Sequence, residues 1–136
     1  MTIDKSLAVL VAEDNANLRK VLVNIMSKIG FQTILEAEDG QRAWEHVQSG
    51  KVGLVLTDWN MPVMSGLDLV GKIREAVAPL KDLPVLMITA YDTKTSVVTA
   101  GQKGVDAYII KPFSVQTIVQ KIEEAISRRK AVGATS

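Results

Sequence analysis

The stretch LVLTDWNMPVMSG, Leu54 to Gly66, decides how the chain is read. Leu54, Val55, Leu56 and Thr57 form an unbroken run of strand-favouring residues with no polar alternation. Such a run belongs to a strand covered on both faces, which is the situation inside a parallel sheet. It ends on a carboxylate, Asp58, and breaks at once into the turn formers Asn60, Pro62 and Gly66. A charged residue at a strand end is most often solvated punctuation. Whether Asp58 is more depends on what the rest of the chain brings beside it.

Working outward, the same alternation recurs. Leu7 to Asp14 (LAVLVAED) is a second continuous apolar run. Leu18, Val21, Leu22, Ile25, Met26 and Ile29 then follow helical spacing, with Gly30 placed to stop the helix. Phe31 to Ala37 reads as a less apolar strand, suited to a sheet edge, and Gly40 to Gln48 as a helix. Val52 to Thr57 is a strand. Ser65 to Val77 is a helix with Ser65 as N-cap and Leu67, Val70, Ile73 and Val77 inward. Leu83 to Ile88 is a strand, Asp92 to Lys103 a helix and Asp106 to Ile110 a strand. Ser114 to Ser127 is a helix with Val115, Ile118, Val119, Ile122 and Ile126 inward. The tail after Ala125, running to Ser136, reads as a frayed helix end, with Arg128, Arg129 and Lys130 as cations favoured by the helix dipole. Five strand–helix units with right-handed crossovers imply an α/β, doubly wound parallel sheet with helices on both faces.

Composition bounds the function. The chain has 136 residues, 16 basic against 15 acidic side chains, and no cysteine. That length fits one domain, 1–136, with its core at about 7–127, needing no disulfide or metal staple. The near-neutral balance shows no clustered basic footprint for nucleic acid. The apolar run at Leu7 to Ala12 is too short for a membrane span, so a soluble, cytoplasmic chain is expected.

In doubly wound sheets, ligands bind beyond the carboxyl ends of the strands. There the first strand delivers Glu13 and Asp14, the third Asp58, the fourth Thr89 and the fifth Lys111. Singly, each has an ordinary explanation: Asp14 as a helix cap, Thr89 as a turn residue, Lys111 as a loop cation. Together they place three carboxylates, a hydroxyl and an ammonium group on one rim. Two carboxylates about 5 Å apart repel by roughly 3 kcal/mol at an effective dielectric near 20, enough to raise one pKa by about 2 units. One lysine cannot balance three acids. An all-oxygen donor set points to Mg²⁺, with Mn²⁺ an acceptable substitute. A carboxylate in such a site can attack phosphorus once cations and hydrogen-bond donors neutralise the incoming charge.

The ordered set Glu13-Asp14, Asp58-Trp59-Asn60-Met61-Pro62 with Gly66, Thr89-Ala90 and Lys111-Pro112-Phe113 resembles the receiver domains of two-component response regulators. The resemblance spans about Leu7 to Ile126 and is most similar to the single-domain chemotaxis (CheY-like) regulators. It implies a flavodoxin-like (βα)5 fold with strand order 2-1-3-4-5. It implies that Asp58 is the phosphoacceptor, that Asp14, Asp58 and the backbone carbonyl of Asn60 bind Mg²⁺, and that Glu13 holds it through water. Lys111 would pair with the phosphoryl group, Thr89 and the Ala90 N–H would bond its oxygens, and Thr89 and Tyr108 would form the switch. Lys111-Pro112 is expected to be cis. Asn60 and Tyr91 would flank the path of a hydrolytic water and tune the acyl-phosphate lifetime. A sensor histidine kinase would be the donor, and a protein target, such as a flagellar motor switch, would bind a face including Val97, Tyr108 and Lys121. The protein is expected to be monomeric and not an enzyme beyond its own phosphorylation and dephosphorylation.

Other roles compete. A phosphorelay intermediate, a phosphate sink or a cell-cycle regulator would share the same domain. An aspartyl-nucleophile phosphatase needs a second acid two residues after the first, where Asn60 stands. A flavodoxin-type cofactor binder needs a phosphate-cradling glycine loop after the first strand, which is absent. His46 reads as an ordinary helix residue, Trp59 as a rim aromatic, and Met61 and Met64 as filler. The segment Asp92 to Gly104, with Gly101 inside it, reads as a weak helix.

Overall fold

A computed structural model describes residues 3–135, with side chains placed as far as Ala131. The strands are β1 (Ala8–Ala12), β2 (Thr33–Ala37), β3 (Val52–Thr57), β4 (Val85–Thr89) and β5 (Ala107–Ile110). They alternate with α1 (Ala16–Ile29), α2 (Gly40–Gln48), α3 (Gly66–Glu75), α4 (Lys94–Lys103) and α5 (Val115–Thr135), and a 3₁₀ turn at Leu80–Asp82 leads into β4. Every strand pair is parallel and the sheet order is β2-β1-β3-β4-β5, the doubly wound order expected.

Strand alternation splits the core in two. Leu10, Val55 and Met87 point to the side covered by α2, α3 and α4, where they meet Ala43, Val47, Leu69, Val70, Ile73 and Ala100. Val9, Val11, Leu54, Leu56, Ile88 and Ile109 point to the side covered by α1 and α5, against Leu22, Met26, Ile118, Ile122 and Ala125. Each large side chain fully withdrawn from water contributes roughly 1.5–3 kcal/mol before the entropy cost of ordering it. Because both faces are covered, the central strands need no polar residue until their ends. β2 lies at the edge, and its outer residues Thr33 and Glu36 are exposed.

Helix starts follow capping chemistry. The side chains of Asn15, Asp39, Ser65 and Thr93 each accept a backbone N–H from the first turn of α1, α2, α3 and α4. Asn15 therefore does the work that Asp14 was free to do, and Asp14 remains exposed on the rim. Gly30 closes α1 with φ 120°, a conformation that disfavours side chains.

Four details differ from the sequence reading. Val21 and Val115 lie at the margins of their apolar stripes and stand 47% and 45% exposed. α3 stops at Glu75, so Val77 lies beyond it and is 80% exposed, while Leu69 rather than Leu67 is fully buried. Ile3 joins the core on the α1/α5 side. The end of the chain does not fray after Ala125: α5 continues to Thr135, and Arg129 turns back onto Asp106. Ser136, included in that expected fray, lies outside the described residues.

Candidate functional site

Sheet register builds the rim. Ala12 pairs with Ala37 on one side and Thr57 on the other, and Thr57 pairs with Met87. The residues after β1 and β3, Glu13 and Asp58, therefore emerge side by side. The ladder extends one step past the strands: the Asp58 N–H donates to the Ala12 carbonyl (3.0 Å) and the Glu13 N–H to the Ala37 carbonyl (3.0 Å). On the far side Thr89 pairs with Ile110, and the Lys111 N–H donates to the Thr89 carbonyl at 2.9 Å. The Lys111-Pro112 peptide is cis, as expected.

Glu13, Asp14 and Asp58 place carboxylate oxygens within 4.8 Å of one another. Lys111 Nζ sits 2.9 Å from Asp58 Oδ2 and 3.5 Å from Glu13 Oε1. The other Asp58 oxygen, Oδ1, accepts the Trp59 N–H at 2.6 Å. Glu13 is buried, and its Oε2 accepts the Asn15 N–H at 3.1 Å. Arg19 closes the outer flank, donating from Nη1 to the Glu13 carbonyl (2.7 Å) and from Nε to Glu36 Oε1 (3.1 Å). Asn15 and Arg19 were not singled out in the sequence. The i, i+2 and i, i+6 spacing from Glu13 across a helix start is the only signal that could have found them.

The electrostatics follow from this packing. Burial is the largest influence on Glu13 and pushes its carboxyl up to about 7; the Asn15 N–H opposes, and the neighbouring Asp14 and Asp58 add to the rise. Carboxylate repulsion, the cause anticipated from sequence, is thus secondary to desolvation. Burial acts to lower the Lys111 pKa, but its hydrogen bond to Asp58 and the charges of Asp58 and Glu13 outweigh that and raise it. Lys111 is a firm cation facing three acids. The residual negative charge and the oxygen-only donors fit a hard divalent ion such as Mg²⁺.

The remaining candidates gather on the β4 side. Thr89 is buried, and its hydroxyl accepts the Tyr91 N–H at 3.3 Å; Ala90 beside it is exposed. The Asn60 side-chain amide donates to the Tyr91 hydroxyl, so the two residues form a contacting pair. Trp59 meets Tyr91 edge-to-face at 5.2 Å and Tyr108 at 6.5 Å, and the Tyr108 hydroxyl donates to the Tyr91 carbonyl at 2.8 Å. Burial, then Asp58 and Asp92, raise the Tyr108 pKa, so it remains a donor. The sequence identified these aromatics separately; their union around Trp59 is visible only in three dimensions. Met61 is buried, and Met64 packs against the same core as filler. His46 sits half-buried with Nε2 3.2 Å from the Glu36 carbonyl, an ordinary helix residue.

The loop after Asp58 is held by steric limits. A Cβ on Gly66 would fall 1.8 Å from the Asp58 carbonyl oxygen, and one on Gly40 would fall 2.0 Å from that of Met64. Between them Val63 takes φ 71° and is 82% exposed, while the Met64 N–H donates to the Pro62 carbonyl at 2.8 Å.

Comparison with known proteins agrees with this fold. Residues 9–123 match the response regulator receiver domain family. The Helicobacter pylori chemotaxis protein CheY1 (strain 26695) is 42% identical over 115 residues, covering 84% of this chain and 92% of that protein. Vibrio cholerae chemotaxis protein CheY-3 is 39% identical over 126 residues, covering 93% and 96%. Among solved structures, the CheX-CheY-BeF3-Mg complex from Borrelia burgdorferi matches with TM-score 0.81 at 27% identity, over 88% of this chain and 89% of that one. Vibrio cholerae CheY4, at 23% identity, shares the fold with TM-score 0.78 over 88% and 98%.

Proposed function

Because the chain belongs to the response regulator receiver domain family, we propose that it is phosphorylated on Asp58 by a sensor histidine kinase and thereby switches its affinity for a protein target. The observation that carries this reading is the convergence of Glu13, Asp14 and Asp58 within 4.8 Å, with Lys111 Nζ 2.9 Å from the central carboxylate. An Asp58 oxygen attacks phosphorus; the O–P bond forms as the N–P bond to the donor histidine breaks, and the imidazole keeps the electron pair. Lys111 moves its hydrogen bond from the free carboxylate to a phosphoryl oxygen, offsetting charge as it develops. The Thr89 hydroxyl and the Ala90 N–H hold other oxygens of the group. Glu13, Asp14, Asp58 and the Asn60 carbonyl would hold Mg²⁺, which when bound neutralises charge on the transferred group. Release of phosphate by water closes the cycle, so the protein acts on its own acyl phosphate and its output is binding.

The identities of about 40% to chemotaxis proteins support a place in chemotactic signalling. The target face is proposed to include Val97, Tyr108 and Lys121, which line one shallow cavity of about 350 Å³ between α4, β5 and α5. Incubation with acetyl phosphate and Mg²⁺ tests the chemistry: intact-mass analysis is expected to show one added phosphoryl group, absent in Asp58→Asn. Labelling that survives Asp58→Asn would overturn the assignment.

A further inference from the structure

The end of the molecule opposite the carboxylate rim holds a second charged cluster. Asp106, buried just before β5, accepts three hydrogen bonds and faces one further cation. Its Oδ2 takes Arg74 Nη2 at 2.7 Å and the Val85 N–H at 2.9 Å. Its Oδ1 takes Arg129 Nε at 2.6 Å, with Arg128 Nε at 3.7 Å. Arg74, reaching from the last turn of α3, spends the rest of its donors on backbone: Nε and Nη2 on the Gly104 carbonyl (3.0 and 2.8 Å), Nη1 on the carbonyls of Lys81 (2.9 Å) and Leu83 (2.7 Å). One buried carboxylate and one guanidinium thus join α3, the 3₁₀ turn, β4, the turn closing α4, β5 and the far end of α5. Charge-assisted hydrogen bonds of this kind are stronger than neutral ones, and a buried charge left unpaired is costly.

The consequence falls on α4. Its C-terminal end at Gly104 is gripped by Arg74, and a side chain at Gly104 would fall 2.8 Å from Arg74 Cγ. Ala100 is its one fully buried residue, and it lies on that half. Both halves carry exposed residues, Lys94, Thr95, Val97 and Val98 in the first and Gly101, Gln102 and Lys103 in the second, so the grip of Arg74 and the burial of Ala100 are what set the second half apart. Just before it, among the described residues, Tyr91 is tied to the rim through Thr89, Asn60, Trp59 and Tyr108, by neutral hydrogen bonds and ring edges. One end of the helix is pinned by charge and the other is coupled lightly to the acceptor.

We propose that the Arg74–Asp106–Arg129 cluster is a fixed pivot, so that a change at Asp58 swings the first turns of α4 about Gly104 rather than shifting the whole helix. The C-terminal arm of α5 is then a second control point, because it supplies Arg129 to the pivot. This rests on Asp58 being the acceptor, and the test separates the two ideas.

Hydrogen exchange of the full chain is measured with and without beryllofluoride and Mg²⁺, a phosphoryl mimic, while Trp59 fluorescence reports uptake at the rim. In the parent, exchange is expected to change over 91–98 and stay constant over 100–106. In Arg129→Gln, exchange over 100–106 is expected to be about tenfold faster before any addition, and the beryllofluoride response to spread into it; Arg129→Lys, which keeps the charge, lies between. A Trp59 response with uniform change across 91–106 in the parent overturns the pivot alone, and so does an Arg129→Gln profile identical to the parent's. No Trp59 response overturns the acceptor reading and the pivot with it. Should Arg129→Gln not fold, the parent's pattern along α4 still decides.

Discussion

At the scale of the residue, burial and contact decide more than residue type. Glu13 keeps its proton up to about pH 7 because it is desolvated. The unfolded chain releases that proton near pH 4.3. The folded state therefore binds the extra proton between those values, and this contribution to stability is present below about pH 4 and lost as pH rises through about 7. In EDTA, the melting temperature is expected to fall from pH 5 to pH 8, and Glu13→Gln to flatten that slope. A slope unchanged by the substitution would assign it elsewhere. Tyr91 is the second case: its hydroxyl accepts from Asn60 and its ring leans on Trp59, and its proposed role is to screen the approach to Asp58. Tyr91→Ala is expected to shorten the acyl-phosphate lifetime about fivefold, roughly 1 kcal/mol of barrier. A timed dephosphorylation assay finding equal or longer lifetimes would remove that role. The acids and Lys111 were legible in the sequence because each follows an apolar run. Arg74, Asp106 and Arg129 were not: partners 23 to 32 residues apart leave no periodic trace, and two adjacent arginines at a helix end read equally well as dipole partners.

Elements were legible where two independent signals agreed. Ser65 and Gly30 bracket their helices as capping chemistry predicts, and β2 betrays its edge position by its polar residues. α3 was over-extended to Val77 because the apolar spacing continues past Glu75, whereas the backbone turns extended at Ala76. α4 is the least supported helix on either reading, with one buried residue and a glycine in its interior. A Cβ at Gly101 would meet open space. Gly101→Ala is therefore expected to stabilise the protein by about 0.5–1 kcal/mol in urea unfolding, without moving the fold. A loss of stability would mean that α4 depends on a conformation alanine cannot take.

At the scale of the whole molecule, the sheet separates a stable body from a chemically demanding lip. The two hydrophobic layers are built mainly from strand and helix interiors, yet the rim carries like charges that the body must tolerate. A ligand that resolves those charges should stabilise the entire fold by mass action. Mg²⁺ at a hundredfold excess over its dissociation constant is expected to add about 2.7 kcal/mol, and Asp14→Asn to lose most of that gain. Calorimetry showing no magnesium-dependent shift in the parent would deny the rim a metal. Among the described residues no helix is long and apolar enough to cross a membrane.

The narrow clearances at Gly66 and Gly40 have a consequence for variation. Backbone oxygens at 1.8 and 2.0 Å from where a first side-chain carbon would stand cannot yield as a flexible side chain could. A library of all single substitutions, selected for signalling, should therefore show two blank columns at 40 and 66, while neighbouring Val63, pointing into solvent, accepts many replacements and gains from asparagine or glycine. The tolerance of the Asp58 loop to change would then be mapped by the atoms that these two positions lack.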